Sequence, residues 1–460
     1  MDFYPIIRRI TAFLTSFLLL LGVRVDLGEP AEPHDVQPDS AVVTLSFADD
    51  TPGSAAGTLT LTAEQDGKYT LFWGDADGEK LTAHAGERDV PYTEFASVAV
   101  RGGKGETALH DFLAIPQGAQ SVLVYGGDTA AGACDLPQNK LAPTASTYSF
   151  GALSDVHFNR YNKSKTGDDA CITFPAALDF FRDFEVSMVA MSGDLSKKGE
   201  KDAYEKFNRI TSQYDFPVFT CKGNHDCYAE YTLENWQTYI NPGVYGENKR
   251  EGVLEVAENG LDFVFRGEET HGDVFIFFSQ ISGQYVLPTS RIVTDAQLDW
   301  LEKQLETYKN ERVYLFFHTF LNASSGNPLM GEGNLLTRSL SFYPLFYAIG
   351  SKDERRFRSL METYKNVTFF NGHSHWAYYL QSLNPDLNIT DYDGTTATMV
   401  HISSVSSPRI SNNATLVWTS DTMKRSEGYL VTVYPDHYVL TACDFLQNQM
   451  LAYATYVVQK

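Results

Sequence analysis

The sequence predicts an α/β fold preceded by an all-β segment, and two observations carry this prediction. Five short apolar runs, each typical of a buried strand, alternate with helical patterns; they lie at 148–153, 186–191, 217–221, 313–317 and 367–370. Such runs separated by helices are typical of an α/β sheet. From residue 41 to about 135, apolar residues instead alternate with small or polar ones between Gly, Asp and Pro turns, which predicts a small antiparallel β-sandwich.

Residues 1–25 predict a signal peptide or a membrane anchor. Two arginines, Arg8 and Arg9, precede a largely apolar stretch at 10–23, which is the order of a secretory signal. No clear small-x-small cleavage site follows, and Arg24 closes the run, so an uncleaved anchor stays open although the stretch is short for a bilayer span. We therefore expect an extracytoplasmic protein, secreted or anchored, with membrane or cell-envelope association through this segment.

The predicted domain order follows from changes in composition. Residues 26–40 are rich in Pro, Glu and Asp and predict a linker. Residues 41–143 form the predicted β-sandwich, which is similar to immunoglobulin or fibronectin-type modules and carries no chemically suggestive residues. Its role is surface attachment, shaping of a cleft, or that of a spacer. Residues 144–460 form the second predicted domain.

Within that domain, helical patterns occupy 174–184, 201–213, 294–308 and 353–364. The third opens with Thr294-Asp295-Ala296-Gln297, which predicts a capping box. Residues 263–278 predict a β-hairpin.

Each of the five predicted strands is followed by a segment rich in metal-ligand residue types. These segments are Ser154-Asp155-Val156-His157, Ser192-Gly193-Asp194, Lys222-Gly223-Asn224-His225-Asp226, Phe317-His318-Thr319 and Asn371-Gly372-His373-Ser374-His375. Ligand sites in open α/β sheets form just beyond the carboxyl ends of the strands. One such segment is weak evidence, but five in order, each after a strand, are a strong signal.

The ordered set resembles the calcineurin-like metallophosphoesterases over residues 150–376. The resemblance implies an α/β sandwich of two mixed sheets flanked by helices, whose second sheet is completed by strands at 398–403, 429–434, 438–443 and 451–458. It also implies two divalent metal ions. The ligands of one would be Asp155, His157, Asp194 and His375, and those of the other Asp194, Asn224, His318 and His373, with Asp194 bridging.

Two physical arguments accompany this ligand set. Asp155 and His157 lie two residues apart, so at an extended strand end both side chains project to the same side. Two carboxylates against two divalent ions leave the first shell at about plus two, because Asn224 and the histidines are neutral ligands. The centre therefore attracts an anion, although the chain carries a formal net charge of −22.

The resemblance implies hydrolysis of a phosphoester by a metal-bridging hydroxide, with His225 as general acid and Asp226 orienting its ring. Residues 192–200, with the following Gly-Asn-His-Asp loop, look most like the phosphodiesterases that include the class III cyclic-nucleotide enzymes. A phosphodiester is thus the favoured substrate. The alternatives are a phosphomonoesterase, nucleotidase or pyrophosphatase on the same site, and a cell-surface binding protein whose metallo-domain is catalytically silent.

One departure bears on the metal. Purple acid phosphatases, a related branch, carry an iron-ligating tyrosine three residues after the aspartate of the Gly-Asp segment, and here that position is Lys197. The resemblance therefore disfavours a tyrosinate-iron site and leaves Mn, Fe(II), Zn and Co open.

Composition limits the partners. With 58 acidic against 36 basic residues, the chain lacks the clustered positive charge on which phosphate-backbone binding depends. We expect a small phosphorylated substrate and no nucleic acid polymer. The segment 322–350, which is long and begins rich in Gly, Ser and Asn, is our candidate for a lid or a substrate-selecting insertion.

The remaining cysteines and histidines allow simpler interpretations. Cys221 and Cys227 bracket the Gly-Asn-His-Asp loop and are either a disulfide or two ordinary thiols, the latter being favoured because Cys221 ends a core strand. The six histidines outside the motifs are expected to be ordinary core or surface imidazoles. They are His34, His84, His110, His271, His401 and His437.

Overall fold

The structure, a computed structural model, describes residues 40–159, 169–228, 230–282, 291–321, 324–326, 351–382, 387–391, 396–412, 415–420 and 425–459. The predicted signal segment, nearly all of the predicted linker and most of the insertion at 322–350 lie outside these residues. The chain forms two compact units. The central unit comprises Phe150–Tyr429, and the N-terminal unit combines 40–149 with 430–459. Among the described residues, no helix has the length and apolar character needed to cross a membrane.

The N-terminal unit begins with nine strands. They are β1 (Ala41–Phe47), β2 (Gly57–Ala63), β3 (Gly67–Gly74), β4 (Thr82–Ala85), β5 (Arg88–Pro91), β6 (Ala96–Val100), β7 (Lys104–Leu109), β8 (Ser121–Gly126) and β9 (Thr129–Asp135). Antiparallel pairing gives a three-stranded sheet in the order β1-β2-β7 and a four-stranded sheet in the order β6-β3-β8-β9. Strands β4 and β5 pair separately.

Alternate side chains of both sheets are buried in one shared core. Leu59 and Leu61 of β2 belong to the same buried cluster as Leu71 and Trp73 of β3. The indole of Trp73 stacks on Phe95 with ring centroids 4.0 Å apart. The period-two pattern in the sequence thus marks the inward faces of these strands, while the likeness to immunoglobulin or fibronectin modules stays a prediction.

In the central unit, the first sheet is built on three parallel strands, β10 (Tyr148–Leu153), β11 (Val189–Met191) and β12 (Val218–Thr220). Gly151 lies opposite Val189, which in turn lies opposite Val218. Helices α1 (Ala170–Asp183) and α2 (Lys201–Thr211) connect these strands, and the short helix α3 (Leu233–Tyr239) follows them. The first three motif segments begin where the strands end.

The second sheet of the central unit has seven strands. They are β13 (Val253–Val256), β14 (Phe263–Phe265), β15 (Val274–Phe277), β16 (Val313–Phe316), β17 (Val367–Asn371), β18 (Ile389–Thr390) and β19 (Thr398–His401), in the order β13-β14-β15-β16-β17-β19-β18. Strands β15, β16, β17 and β19 are parallel, and the edge strands are antiparallel. The sheet is therefore mixed, as predicted.

An aromatic layer joins the two sheets of the central unit. Phe150 on β10 contacts Phe275 on β15 and Tyr314 on β16, with ring centroids 5.1 and 5.0 Å apart. Phe316 on β16 stacks on Phe370 of β17 at 4.7 Å. Pairs of this kind stabilise packing beyond the apolar area that they bury. With these faces packed together, the carboxyl ends of both sets of parallel strands can contribute to one site.

The helices flanking the second sheet match their predicted positions to within a few residues. They are α4 (Asp295–Thr307) and α5 (Ser351–Thr363). The capping box is confirmed, because Thr294 Oγ1 accepts a hydrogen bond from the backbone N–H of Gln297 while the Thr294 N–H donates to Gln297 Oε1, both at 3.0 Å. The predicted hairpin is also confirmed as the antiparallel pair β14 and β15, whereas α3 was not predicted.

Three further strands of the chain are β20 (Arg409–Asn412), β21 (Thr415–Ser420) and β22 (Glu427–Val433). The first two pair with each other and were not predicted. The predicted strand at 398–403 does extend the second sheet, as β19. The one at 429–434 corresponds to β22, which neighbours β10 in the first sheet and so corrects its expected place in the second.

The last two strands, β23 (His437–Asp444) and β24 (Gln449–Gln459), form an antiparallel hairpin in the N-terminal unit. They follow β22 in the first sheet, so the expectation that the strands at 438–443 and 451–458 complete the second sheet is also wrong. The Met450 carbonyl accepts a hydrogen bond from the Thr93 N–H at 2.9 Å, and Ala452 belongs to the core of the strands β1 to β9. The hairpin thus completes the packing of this unit.

Candidate metal centre

The structure brings the predicted ligands of the first ion together at the ends of β10, β11 and β17. His157 Nε2 lies 3.4 Å from Asp155 Oδ1 and 3.6 Å from Asp194 Oδ2. His375 Nε2 lies 2.9 Å from Asp155 Oδ1 and 3.0 Å from His157 Nε2. All four residues are buried. Imidazole nitrogens and carboxylate oxygens that converge in this way form a donor set suited to a transition metal or zinc.

The predicted ligands of the second ion converge beside them. His318 Nε2 lies 3.2 Å from Asp194 Oδ2 and 3.0 Å from both Asn224 Oδ1 and His373 Nδ1. Asp194 is therefore close to ligand atoms of both groups, as a bridging carboxylate would be. The structure thus gathers all seven predicted ligand side chains into one buried cluster.

The backbone at these ligands adopts a conformation that was not predicted from the sequence. The residues Asp155, His157, Asp194, His373 and His375 all have positive φ, between 54° and 74°. This left-handed conformation is uncommon outside glycine, and strained residues of this kind cluster at functional sites. The expectation that Asp155 and His157 meet because they end an extended strand is wrong, since both lie in the left-handed region.

One buried atom, Asp155 Oδ1, indicates whether the cluster is suited to a metal ion. Asp155 Oδ1 is fully buried and accepts no hydrogen bond from the described residues, although two imidazole nitrogens lie within 3.4 Å of it. A buried carboxylate oxygen without a hydrogen bond is costly unless a cation balances it. The donor set therefore fits a bound divalent ion.

Electrostatics within the cluster support this assignment. Burial by itself raises the pKa of the Asp155 carboxyl, but the neighbouring His375 and His318 hold this pKa well below its usual range. Burial disfavours the charged form of His318, yet the charges of Asp194 and Asp155 raise its pKa to about 9. The cluster thus stabilises positive charge at the place where metal ions would bind.

Hydrogen bonds outside the cluster fix which ring nitrogens face it. His318 Nδ1 donates to the carbonyl of Ser192 at 2.9 Å. His375 Nδ1 lies 3.0 Å from Ser407 Oγ and 3.2 Å from the Ser407 carbonyl. In both rings Nε2 is therefore left to face the cluster, which is the usual way that outer contacts orient metal-binding imidazoles.

Two buried residues lie beside the cluster: Ser404, which was not predicted to contribute to it, and His401, which was expected to be an ordinary core imidazole. The Ser404 hydroxyl donates to the Asp155 carbonyl at 2.8 Å and accepts the backbone N–H of Ser407 at 3.0 Å. His401 is buried, and its Nε2 lies 3.2 Å from the Trp376 carbonyl, beside the segment that carries His373 and His375. Neither residue belongs to a recognisable motif, and only the run Ser403-Ser404-Val405-Ser406-Ser407 was available as a signal.

His225 lies at the edge of the cluster, and its surroundings correct one expectation. A ring nitrogen of His225 lies within 4.8 Å of ligand atoms of His157 and Asp194. Its Nδ1 is 2.9 Å from the carbonyl of Lys197, so this carbonyl and not Asp226 orients the ring.

Asp226 instead connects two motif loops. Its Oδ1 accepts from the backbone N–H and the hydroxyl of Ser196, at 2.9 and 2.8 Å. Its Oδ2 accepts from the N–H groups of Leu195 and Gly223, at 3.2 and 3.1 Å. The expectation that Asp226 orients His225 failed because sequence adjacency does not place the two side chains in contact.

Two motif glycines allow the loops to approach each other. A Cβ on Gly223 would collide with Asp194 Oδ1, and one on Gly372 would collide with Ser154 Oγ and lie 2.5 Å from Asp155 Oδ2. Glycine at these positions therefore leaves room for the two carboxylates.

The cysteines around the Gly-Asn-His-Asp loop are free thiols, as are the other three of the chain. Cys227 Sγ donates to the Gly223 carbonyl at 3.2 Å. Lys222 is buried, with its ammonium 3.7 Å from the ring centroid of Tyr231. The loop is thus held by packing and hydrogen bonds instead of a disulfide.

Comparison with known proteins places these observations in context. The chain is similar to a protein named probable glycerophosphodiester phosphodiesterase GpdQ from Arcobacter nitrofigilis, with 24% identity over 135 residues. The matched stretch covers 28% of this chain and 41% of the length of that relative.

Among solved structures, the chain is similar to a dimetal phosphatase from Danio rerio, with 14% identity and a TM-score of 0.45, over 68% of this chain and 99% of that chain. It is also similar to a purple acid phosphatase from seeds of yellow lupin, Lupinus luteus, with 13% identity and a TM-score of 0.43, over 92% of this chain and 74% of that chain.

The family model for calcineurin-like phosphoesterases matches residues 148–377, which include all seven candidate ligands and His225 and amount to half of the 460-residue chain. The chain therefore belongs to the calcineurin-like phosphoesterases, which are metal-dependent hydrolases of phosphoesters.

Proposed function

We propose that this phosphoesterase hydrolyses a phosphodiester, with His225 as the general acid. The observation that carries the proposal is the convergence of both ligand groups on Asp194, with a ring nitrogen of His225 within 4.8 Å of ligand atoms of Asp194 and His157. The leaving oxygen of an ester bound at this cluster would lie within reach of His225.

The chain's own residues would prepare the site in two ways. Two divalent ions held by the cluster would supply Lewis acidity, which lowers the pKa of water and stabilises charge on phosphoryl oxygens. Asp155 and Asp194 contribute only two negative charges, so the loaded cluster keeps a positive charge that attracts a phosphoester anion. The buried histidines exclude bulk water, which strengthens this attraction.

His225 is suited to proton transfer to the leaving group. Its Nδ1 proton is engaged by the Lys197 carbonyl at 2.9 Å, so the proton that moves in the reaction is the one on Nε2. The ring is half-buried, whereas the candidate ligand histidines are buried. An alkoxide is a poor leaving group, and a positioned acid commonly accelerates its departure by about 10²–10⁴-fold.

The preference for a diester is supported by two resemblances. The relative from Arcobacter nitrofigilis is named as a glycerophosphodiester phosphodiesterase. The segment 192–200 and the Gly-Asn-His-Asp loop are similar to those of phosphodiesterases. The second resemblance concerns the loops that carry Asp194, Asn224 and His225.

The test is a comparison of substrates with protein loaded with Mn²⁺, Zn²⁺ or Co²⁺. We expect a higher kcat/KM on bis-p-nitrophenyl phosphate than on p-nitrophenyl phosphate and on a panel of nucleotides and pyrophosphate. A rate on the monoester or a nucleotide that equals or exceeds the rate on the diester would contradict the proposal. Bound metal without hydrolysis of any of them would instead favour a silent binding protein.

A further inference from the structure

The hydroxyl of Tyr228 lies at the candidate metal centre. It belongs neither to the predicted ligand set nor to the proposed proton transfer. Tyr228 follows the short 3-10 turn His225–Cys227 and is half-buried. Its ring contacts that of His225 edge to face, with centroids 5.0 Å apart. Its hydroxyl oxygen lies 3.4 Å from Asn224 Nδ2. The phenol therefore borders both a candidate ligand and the candidate acid.

The contact with Asn224 determines the direction of hydrogen bonding at this hydroxyl. Asn224 Oδ1 lies 3.0 Å from His318 Nε2, so the amide oxygen faces the ligand cluster and the amide nitrogen faces Tyr228. Asn224 Nδ2 donates, and the phenol oxygen accepts. A phenol hydroxyl can accept and donate at the same time, and no acceptor among the described residues takes its proton.

The charge of the neighbouring cluster indicates which acceptor would take a hydrogen bond from the Tyr228 hydroxyl. The loaded cluster carries about two positive charges and attracts anions, and the substrate of a phosphoesterase presents phosphoryl oxygens, which are strong acceptors. We propose that Tyr228 donates a hydrogen bond to an oxygen of the bound phosphoester, as a substrate-binding residue outside the five motif segments. This inference rests on the proposed function, because it assumes that the phosphoryl group binds at the cluster.

The decisive experiment measures the binding of inorganic phosphate to the Mn²⁺-loaded full chain by calorimetry, together with metal content. Tyr228→Phe removes the hydroxyl and keeps the ring. Since a hydrogen bond to a charged group is stronger than one between neutral groups, we expect the Kd for phosphate to rise by about 10-fold or more. The metal content should be unchanged, and kcat/KM on bis-p-nitrophenyl phosphate should fall to a similar extent.

Tyr231→Phe is the matched control. Tyr231 lies three residues further along the chain, is also half-buried, and its ring packs under Lys222 instead of against a candidate ligand. We expect this variant to bind phosphate like the wild type.

Three results would overturn the inference. One is a phosphate Kd of Tyr228→Phe within about two-fold of the wild-type value. Another is a loss of metal from the variant, which would make Tyr228 a positioning residue for Asn224. The third is a loaded wild type that does not bind phosphate at all. A wild type that binds phosphate without hydrolysing the diester would instead contradict the proposed function, and the phosphate titration would still decide the role of Tyr228.

Discussion

At the scale of single residues, the metal centre combines strained backbone with a dense set of orienting contacts. Five candidate ligands have positive φ, and such conformations cost on the order of 1–3 kcal/mol each unless the surroundings hold them. The surroundings do so here through outer contacts such as Ser407 to His375 and Ser404 to Asp155. The side chains are thus placed before metal ions bind, which reduces the cost of ordering them on binding.

The role of His225 as acid predicts a dependence on the leaving group. His225→Asn removes the proton donor, so hydrolysis of an alkyl phosphodiester should slow by about 10²–10⁴-fold. A p-nitrophenyl diester, whose leaving group needs little protonation, should slow much less. Steady-state rates on both esters, with metal content as the control, test this. Equal losses on the two esters, or a loss of metal, would remove His225 from the acid role.

The contacts of Ser404 predict a change in metal affinity. Ser404→Ala removes a donor to the Asp155 carbonyl and an acceptor for the Ser407 N–H. Loss of such outer contacts commonly costs about 10–100-fold in metal affinity or activity. Titration with Mn²⁺ measures the affinity, and Ser212→Ala at the exposed end of α2 is the control. Unchanged affinity in Ser404→Ala would mean that the strand ends hold Asp155 without this serine.

At the scale of elements, the site depends on loops that leave parallel strands and pass close to one another. The Gly-Asp loop after β11 and the Gly-Asn-His-Asp loop after β12 are joined through Asp226, which accepts four hydrogen bonds. The segment after β17 approaches the segment after β10 at Gly372. The geometry of the metal centre therefore follows from the packing of loops as well as from the identity of the ligands.

The close approach at Gly372 predicts that a larger residue at this position weakens metal binding. In Gly372→Ala the new methyl group would collide with Ser154 Oγ and press against Asp155 Oδ2, so we expect weaker metal binding and reduced hydrolysis. Gly272→Ala is the control, because that glycine has a φ of +99° but open space around it. It should lower the melting temperature slightly without affecting metal affinity. Wild-type metal affinity in Gly372→Ala would show that the loops can separate at no cost.

The sequence predicted the strand and helix positions well because each depends on a local pattern. The capping box at Thr294 and the apolar run of β10 are examples. The family resemblance implied seven candidate ligands, and the structure gathers their side chains because each motif lies directly after its strand. The sequence did not predict Ser404, which meets Asp155 only through a contact across the fold. Asp226 was misassigned because its partners belong mainly to another loop.

At the scale of the whole molecule, a chain with a net charge of −22 contains a buried cluster suited to cations. In the metal-free protein, the negative charges of the same cluster favour a proton on His318. The charges of Asp194 and Asp155 overcome burial and raise the pKa of His318 from 6.5 to about 9. Metal binding must displace this proton, so apparent metal affinity should increase as the pH rises toward 9.

The raised pKa of His318 predicts how the stability of metal-free protein depends on pH. The folded state binds this proton more tightly than the unfolded state does, so the stabilisation is complete below pH 6.5 and is lost as the pH rises through about 9. The melting temperature of chelator-treated protein should therefore fall over this interval, and that of loaded protein should fall less. Metal-free His318→Gln is the control, and its melting temperature should not show this fall. Parallel curves for the metal-free and loaded protein would contradict the prediction.

The cluster around Asp194 is proposed to be a metal-dependent catalytic centre for phosphodiesters. The most direct test measures hydrolysis of bis-p-nitrophenyl phosphate as a function of metal bound per chain, from the chelated protein to saturation. We expect activity to rise with metal binding, to approach its maximum at about two ions per chain, and to be lost in His318→Ala. Metal that binds to the chain without any hydrolysis of the diester, or equal hydrolysis in the chelated protein, would contradict it.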